Sequence, residues 1–395
     1  MFWLLVAVQG LALYAMGTVF FDVVHYALHR FAHCRSIVLR FGAALHQAHH
    51  DFLDTSLDFH EEHVRRNLLY HLIPEYLTHT LATLVGLFFF EPLAVAVAVL
   101  AHTLNFTGAV FMRGRDLNHV HFEKLPQPGP GSLVGPKYHS LHHVYPEQYM
   151  GSMLRLFDWV VGTGCPLPGR RVAITGASGS FGSGMVECLR KAGVQSIRAF
   201  TFGKDWTYDD YSQIEAVLPD TDILVLAHGS KVDRAMEANC TSFVELIERF
   251  RKVALRRRFP VEIWAVGSEI ESHSHWGNAE LKVYKASKGA YARFARRYYR
   301  DSDFLYRHIC PAAFTSRMGP GLISGRFAAR WALFLIRRGF HYIPVTYTGI
   351  AFLNYLKFAF GVHAKSAAPV GLAGPSNPSL SKPDSENGNS CSTPM

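Results

Sequence analysis

Charge is scarce in this chain: Asp, Glu, Lys and Arg make up only 18% of its 395 residues, against a hydrophobic share of 49%. A soluble domain carries about a quarter charged residues, so part of the chain is expected to sit in something other than water. No dense Lys/Arg run interleaves with aromatics, which sets nucleic acid aside despite the formal charge of +9. That surplus suits an anionic membrane surface or phosphate groups instead. The six cysteines (34, 165, 188, 240, 310 and 391) form no C-x-x-C pair. This excludes a zinc knuckle or a disulfide framework and fits a reducing compartment. The N-terminal run FWLLVAVQGLALYAMGTVFF has neither a basic n-region nor an A-x-A cleavage site. It is therefore read as a spanning or embedded helix, not a signal peptide.

What is abundant is apolar run and histidine, both concentrated early. Two further stretches, 68–90 and 92–112, are long enough to cross a bilayer, and Glu91-Pro92 between them predicts a tight helical hairpin. Such a hairpin returns the chain to the side it left. Residues 22–67 and everything after 113 then share one face, and Arg30, Arg35, Arg40, Arg65, Arg66, Arg113 and Arg115 make that face cytoplasmic. Glu75, His71, His79 and His102 lie inside the apolar stretches, where exposure to lipid is costly, so they are expected to face the bundle interior.

Of 22 histidines, 16 precede residue 150. In DVVHYALHRFAH, His29 and His33 stand one helical turn apart, with His25 a turn further back. His46-x-x-His49-His50 and His139-x-x-His142-His143 repeat one H-x-x-H-H spacing, and His119 and His121 lie shortly before the second copy. DFHEEH adds His60 and His63. These imidazoles outnumber what one ion takes, so two ions sharing the set are expected, and histidine ligation suits iron, zinc, copper or nickel. A single histidine is more often a surface or core residue; the weight comes from the constellation.

After the punctuated stretch GTGCPLPGR (162–170), short β-rich runs alternate with helical ones: RVAIT, SIRAF, DILVLA, VEIWAVG, LYRHIC. That pattern predicts a doubly wound parallel sheet. The first run leads into TGASGSFG, whose Gly176, Ser178, Gly179 and Gly182 would let backbone approach a pyrophosphate at a helix N-terminus. Tyr284 and Lys288 form Y-x-x-x-K, a spacing that stacks an ammonium beside a phenol and lowers its pKa. Ser268 ends the strand VEIWAVGS, placed to hydrogen-bond a carbonyl. The second β run ends AFTFGK without an acid to grip a 2′-hydroxyl, while Lys204 or Arg198 could meet a 2′-phosphate, which favours NADP(H) over NAD(H). Residues 326–361 are read as containing apolar helices and the run YIPVTYTGIAFLNYLKFAF, expected to lie on or dip into the membrane.

The histidine half resembles the fatty acid hydroxylase/sterol desaturase superfamily. The resemblance rests on D-x-x-x-Y-x-x-H-R-x-x-H (Asp22, Tyr26, His29, Arg30, His33), HQAHH, HSLHH and the closing block YMGSMLRLFDWVVGT with Asp158, Gly162 and Thr163. It implies a membrane-embedded di-iron site that activates O2 against a lipid C–H bond. Ligands would come from His29, His33, His46, His49, His50, His63 or His60, His119, His121, His139, His142 and His143. NHVHFE is similar to a stretch of the plant wax-biosynthesis branch, which would make a fatty aldehyde the substrate. Residues 170–320 resemble the short-chain dehydrogenase/reductase family. That implies Tyr284 as general acid/base, Lys288 as its pKa-lowering partner and ribose contact, and Ser268 as carbonyl orienter. The family's asparagine would be Asn239, and Thr315 in PAAFTSRM would flank the nicotinamide. In place of the family's N-A-G this chain has AHG (227–229).

The expected architecture is an N-terminal all-α, membrane-embedded di-metal domain (1–163), a Rossmann-like α/β domain binding NADP(H) (164–362) and a disordered tail (363–395). The expected activity is bifunctional: hydroxylation or desaturation of a sterol, fatty acyl or fatty aldehyde lipid, coupled to alcohol/carbonyl redox. No flavin or iron–sulfur motif splits hydride into single electrons, so an external ferredoxin or cytochrome is expected as donor. The alternatives are a membrane-anchored reductase with a silent metal half, or a nucleotide-binding scaffold without catalysis. Lipid identity, electron donor and oligomeric state are not legible.

Overall fold

A computed structural model describes residues 1–272 and 279–360; the predicted tail, 363–395, lies outside them. The first 21 residues carry no charge, and they open a single helix, α1 (Phe2–Phe31). Pro92, whose missing N–H costs nothing in a first turn, opens α5 (Pro92–Phe111). Both are long and apolar enough to cross a membrane, and only 33% and 28% of their most apolar windows is buried in the protein. Much of their remaining Leu, Val and Phe surface is exposed on the outside of the protein.

The expected span 68–90 is helical but broken. It consists of α3 (Val64–Asn67), a π turn (Leu68–Leu72), α4 (Ile73–Leu84) and a 3-10 turn (Val85–Phe88). Pro74 cannot donate to the carbonyl of Tyr70 four residues back, and the ladder loosens just ahead of it. His71, His79 and His102 are buried against neighbouring helices. α2 (Ile37–Phe52), α6 (Pro136–Val144) and α7 (Leu156–Val161) close one end of the bundle.

In the second half the five predicted β runs become β1 (Arg171–Thr175), β2 (Ser196–Phe200), β3 (Ile223–Leu226), β4 (Glu262–Val266) and β5 (Leu305–Pro311). Helices α8 (Ser180–Lys191), α9 (Ser212–Glu215), α10 (Ser242–Ala254) and α11 (Ala279–Tyr298) connect them. A small pair, β6 (Phe314–Thr315) and β7 (Ile323–Ser324), precedes α12 (Gly325–Arg337). β8 (Tyr342–Val345) and α13 (Ile350–Phe360) follow. The main sheet is parallel, in the order β2-β1-β3-β4-β5-β8. Both faces are covered, and alternate residues divide between them. Ile223 and Val225 join one apolar layer while Leu224 and Leu226 join the other.

The apolar helices expected within 326–361 are α12 and α13, and the strand β8 stands between them. YIPV forms a sheet edge, the place where Pro344, lacking a ladder donor, is tolerated. α13 beyond it presents Phe352, Leu353 and Leu356 to the outside.

The two halves pack within one compact unit, Met1–Ala359. Leu125 N–H donates to Arg258 O (2.9 Å) and Gln127 N–H to Ser302 O (3.3 Å). Arg170 Nη1 donates to Tyr145 OH at 3.0 Å, and Trp159 stacks on Phe340. Arg170, Arg258, Ser302 and Phe340 all precede the starts of strands. The helical half therefore caps the N-terminal edge of the sheet and leaves the C-terminal edge, where such folds bind ligands, open on the far side.

Candidate metal centre and nucleotide cleft

Helical spacing on α1, α2 and α6 brings eight imidazoles together, and His119 from the loop after α5 joins them, making two groups. His25, His29, His46, His50 and His142 form one, and His49, His119, His139 and His143 the other; within each, the candidate ligand atoms lie within 4.8 Å of one another. His29 Nε2 stands 3.2 Å from the Nε2 of both His25 and His46, and 3.3 Å from that of His50. His119 Nε2 is 3.3 Å from His49 Nε2 and 3.1 Å from His139 Nε2. All nine residues are buried.

Several rings are locked from behind. His142 Nδ1–H donates to Gln148 O (2.9 Å), His143 Nδ1–H to Leu53 O (2.7 Å) and His119 Nδ1–H to the Asp116 carboxylate (2.7 Å). Each bond fixes the tautomer, so the Nε2 lone pair is left for the centre. His142 Nε2 and His143 Nε2 are buried with no hydrogen-bond partner, a costly state unless a cation takes them. Burial drives His46 down to about 3 and His142 down to about 4, with the His142 charge acting on the former and the Gln148 carbonyl and His119 opposing each other on the latter. Burial, then neighbouring imidazoles, holds His139 and His143 well below the usual range. Burial works to raise the Asp116 carboxyl, but His119 outweighs it and keeps it low. Neutral imidazoles with fixed tautomers in two groups fit two iron ions.

Three of the expected metal residues stand outside both groups. α1 ends at Phe31, so His33 leaves the His29 face; its side chain is 70% exposed and meets Glu147 at 3.4 Å. His25, one turn back on the same face, occupies the group instead. His63 sits in a short 3-10 turn beside His60, and His60 pairs with Asp54 at 3.2 Å. His121 is exposed and gives its Nδ1 to Leu57 O at 2.9 Å. His71, expected only to face the bundle interior, stacks its ring on His49 at 3.7 Å with Glu75 behind it at 3.5 Å. An ionisable residue inside an apolar run was the available clue.

At the open edge of the sheet a cleft of about 730 Å³ is lined by Gly176, Ser178, Gly179, Gly182, Ser268, Tyr284, Lys288 and Asn239, among others. Gly176 has φ +73°, and a Cβ on Gly182 would stand 2.1 Å from Gly176 O. Only glycines allow this turn and its close packing on α8.

Tyr284 and Lys288 share one face of α11. Burial pushes the Tyr284 phenol up to about 12, a hydrogen bond with Ser268 opposing and the Glu271 charge adding. Burial brings Lys288 down to about 8, with Glu271 opposing. The Lys288 ammonium donates to Val266 O at 2.7 Å and lies 6.0 Å from the Tyr284 ring centre. The pKa-lowering contact expected from the spacing is thus replaced by a backbone bond.

Asn239, fully buried, spends its amide on Ser230 O (2.6 Å), Ala235 O (3.0 Å) and Ser287 Oγ (3.0 Å), while its Oδ1 accepts from Ser230 N–H. Lys204 and Thr315 are exposed and do not line the cleft; Thr315 Oγ1 donates to Gly321 O. Lys231 and Arg317 are the cleft's other cations. His228, in the AHG step, is held between Thr175 Oγ1 (2.7 Å) and Ser242 Oγ (2.8 Å).

Comparison with known proteins places these features. Residues 14–163 match the family model described as Fatty acid hydroxylase. A curated relative, the monoglucosyldiacylglycerol epimerase of Synechocystis sp., is 27% identical over 88% of this chain and 94% of its own. Among solved structures, a short chain dehydrogenase from Burkholderia cenocepacia in complex with NADP is 16% identical, covering 50% of this chain and 95% of its own, with a TM-score of 0.41. A short chain dehydrogenase/reductase from Burkholderia phymatum in complex with NAD is 13% identical, covering 52% and 99%, with a TM-score of 0.41. The chain is an oxidoreductase: its residues 14–163 match the fatty acid hydroxylase model, and on the same polypeptide they are joined to a Rossmann-type α/β half.

Proposed function

We propose that this protein is a two-site membrane lipid oxidoreductase, with a di-iron domain at about 1–163 and an NADP(H)-binding domain at about 164–362. The observation that carries the reading is the pair of buried histidine groups with tautomers fixed toward a common centre. The irons would be held by His25, His29, His46, His50 and His142, and by His49, His119, His139 and His143. When bound, they supply O2 activation for hydroxylating or desaturating an aliphatic C–H bond. The chain's own part is to keep each imidazole neutral and oriented, and to exclude water by burial. An external ferredoxin- or cytochrome-type donor supplies electrons. The arginines flanking the apolar segments support a cytoplasmic position for both sites.

In the cleft, Tyr284 exchanges the proton of a lipid alcohol or carbonyl, Ser268 orients the oxygen, and the glycine turn with α8 receives the nucleotide phosphates. Because the two sites lie at opposite edges of the sheet, a lipid worked on at one leaves it before reaching the other.

The epimerase relative favours a second reading, a glycolipid epimerase. A sugar carbinol would give its hydride to NADP⁺ and its hydroxyl proton to Tyr284, forming a ketone; hydride return to the opposite face would invert the carbon. That cycle restores the nucleotide and needs no outside donor.

Metal analysis and lipid profiling test both readings. About two irons per chain, with an oxygenated or desaturated lipid that disappears with the gene, supports the first. A change confined to sugar stereochemistry, retained in iron-free protein, supports the second. Neither a lipid change nor iron would leave both without support.

A further inference from the structure

Behind Tyr284 and Lys288 lies a buried acid–imidazole pair that the chemistry above does not use. The side chains of Glu271 and His308 are 1% and 0% exposed, and Glu271 Oε1 stands 3.0 Å from His308 Nε2. A carboxylate so enclosed needs partners for both oxygens, and Glu271 has them, because Oε2 accepts the Ser268 N–H at 3.2 Å. On the other side His308 Nδ1 meets the Tyr306 hydroxyl at 3.1 Å, and that hydroxyl meets Tyr291 OH at 2.8 Å. Tyr284, Lys288 and Tyr291 are i, i+4 and i+7 on α11 and share a face. The hydrogen bonds thus run from Ser268 at the end of β4, across β5, and back to the helix that carries Tyr284.

Gly267 makes the closure possible, since a Cβ there would stand 2.6 Å from both Glu271 Oε2 and the His308 ring. Asn239 cannot do the same work, because its amide is committed to Ser230, Ala235 and Ser287. Neither Glu271 nor His308 lines the cleft, so neither would touch a substrate there.

We infer that Glu271, held by His308, is a positioning residue that fixes Ser268 relative to Tyr284, so that both hydroxyls meet a substrate oxygen already aligned. This rests on the dehydrogenase reading of the cleft.

The test uses the full-length protein in detergent, dodecan-2-one as ketone probe, NADPH oxidation for turnover and NADPH fluorescence for binding. A misplacement of about an ångström at a reacting group can cost about a hundredfold. Glu271→Ala is accordingly expected to lower kcat about 10- to 100-fold, with NADPH affinity and KM within about twofold. Glu271→Gln can still accept from Ser268 and donate to His308, and should keep kcat within about threefold. Amide hydrogen exchange at Ser268 should quicken in Glu271→Ala and not in Glu271→Gln, a readout independent of turnover. Should Glu271→Ala not fold, Glu271→Asp, one methylene short, carries the same expectation.

Unchanged kcat and unchanged Ser268 exchange in Glu271→Ala overturn the inference, as does a Gln variant as impaired as the Ala one. Tyr284→Phe separates the two levels. If it turns over ketone like the wild type, the dehydrogenase reading fails; if it alone is inactive while Glu271→Ala is not, only the positioning role fails. A wild type inert toward the ketone counts against the dehydrogenase reading, and exchange then decides the positioning.

Discussion

Asp158 offers the most direct test of how the histidine helix α6 is held. Its carboxylate is fully buried and accepts four hydrogen bonds: from Tyr138 OH (2.8 Å), Met150 N–H (2.8 Å), Gly151 N–H (2.9 Å) and the Thr163 hydroxyl. Tyr138 immediately precedes His139 and packs edge-on against Tyr149, so the carboxylate ties α6 to the closing segment. Asp158→Ala strands four donors, each costing about 1–3 kcal/mol when buried without an acceptor. The terms share one site and do not add fully, which gives about 4 kcal/mol in all. Asp158→Asn preserves volume and one acceptor oxygen but turns an NH2 toward two donors, for about 2 kcal/mol. At about 2–4 °C per kcal/mol, the alanine variant should unfold about 8–16 °C below the wild type and the asparagine variant about half as far below. Both should lose iron, the alanine variant more. Thermal unfolding in detergent with iron counted on the same samples is the assay. An alanine variant with wild-type midpoint and wild-type iron would refute the claim that this carboxylate holds the histidine helix.

Other outcomes follow from individual contacts. Asp116→Asn, which weakens the acceptor behind His119, should lower metal affinity about 10- to 100-fold, measured by competition with a chelator. Gly182→Ala places a Cβ 2.1 Å from Gly176 O and should abolish NADPH binding, read by fluorescence, while leaving iron content unchanged. His228 is driven down to about 3, chiefly by burial and then by Lys288. Since the unfolded chain binds that proton near pH 6.5, stability should fall as pH drops from there toward 3, by about 1.4 kcal/mol per pH unit. His228→Gln should lack that share of the slope in unfolding curves taken across the window. Tyr284→Phe should cut carbonyl turnover about 10²- to 10⁴-fold without altering nucleotide affinity; equal turnover would remove the phenol from the chemistry.

The parallel sheet was legible because strand runs of the right length recur between helical patterns, and the strand–glycine–helix order is hard to produce otherwise. The histidine clusters on α2 and α6 were legible because their spacing lies wholly within one helix. His33 was not, because its place on the His29 face depends on where α1 stops, and no capping residue marks the end at Phe31. His25 gains the position by the same geometry. Lys204 follows Gly203, whose φ of +80° marks a bend that composition alone does not give, and it does not line the cleft. Asn239 lies in a π turn (Glu237–Thr241), and its amide bonds both the preceding segment at Ser230 and Ala235 and, 48 residues on, Ser287 of α11. β8 was hidden because a short apolar run containing proline reads equally as helix start or sheet edge.

The helical cap on the sheet also bears on inheritance and engineering. Glu262, the first residue of β4, and Arg307, within β5, are both enclosed and paired at 2.9 Å, with Arg170 reaching Tyr145 across the same seam. Excising the α/β portion would uncover this ion pair together with the backbone bonds at Arg258 and Ser302. An α/β half cut from this polypeptide should be poorly soluble. Descendants of the chain could lose either site by point mutation, but could shed one half only by rebuilding the seam.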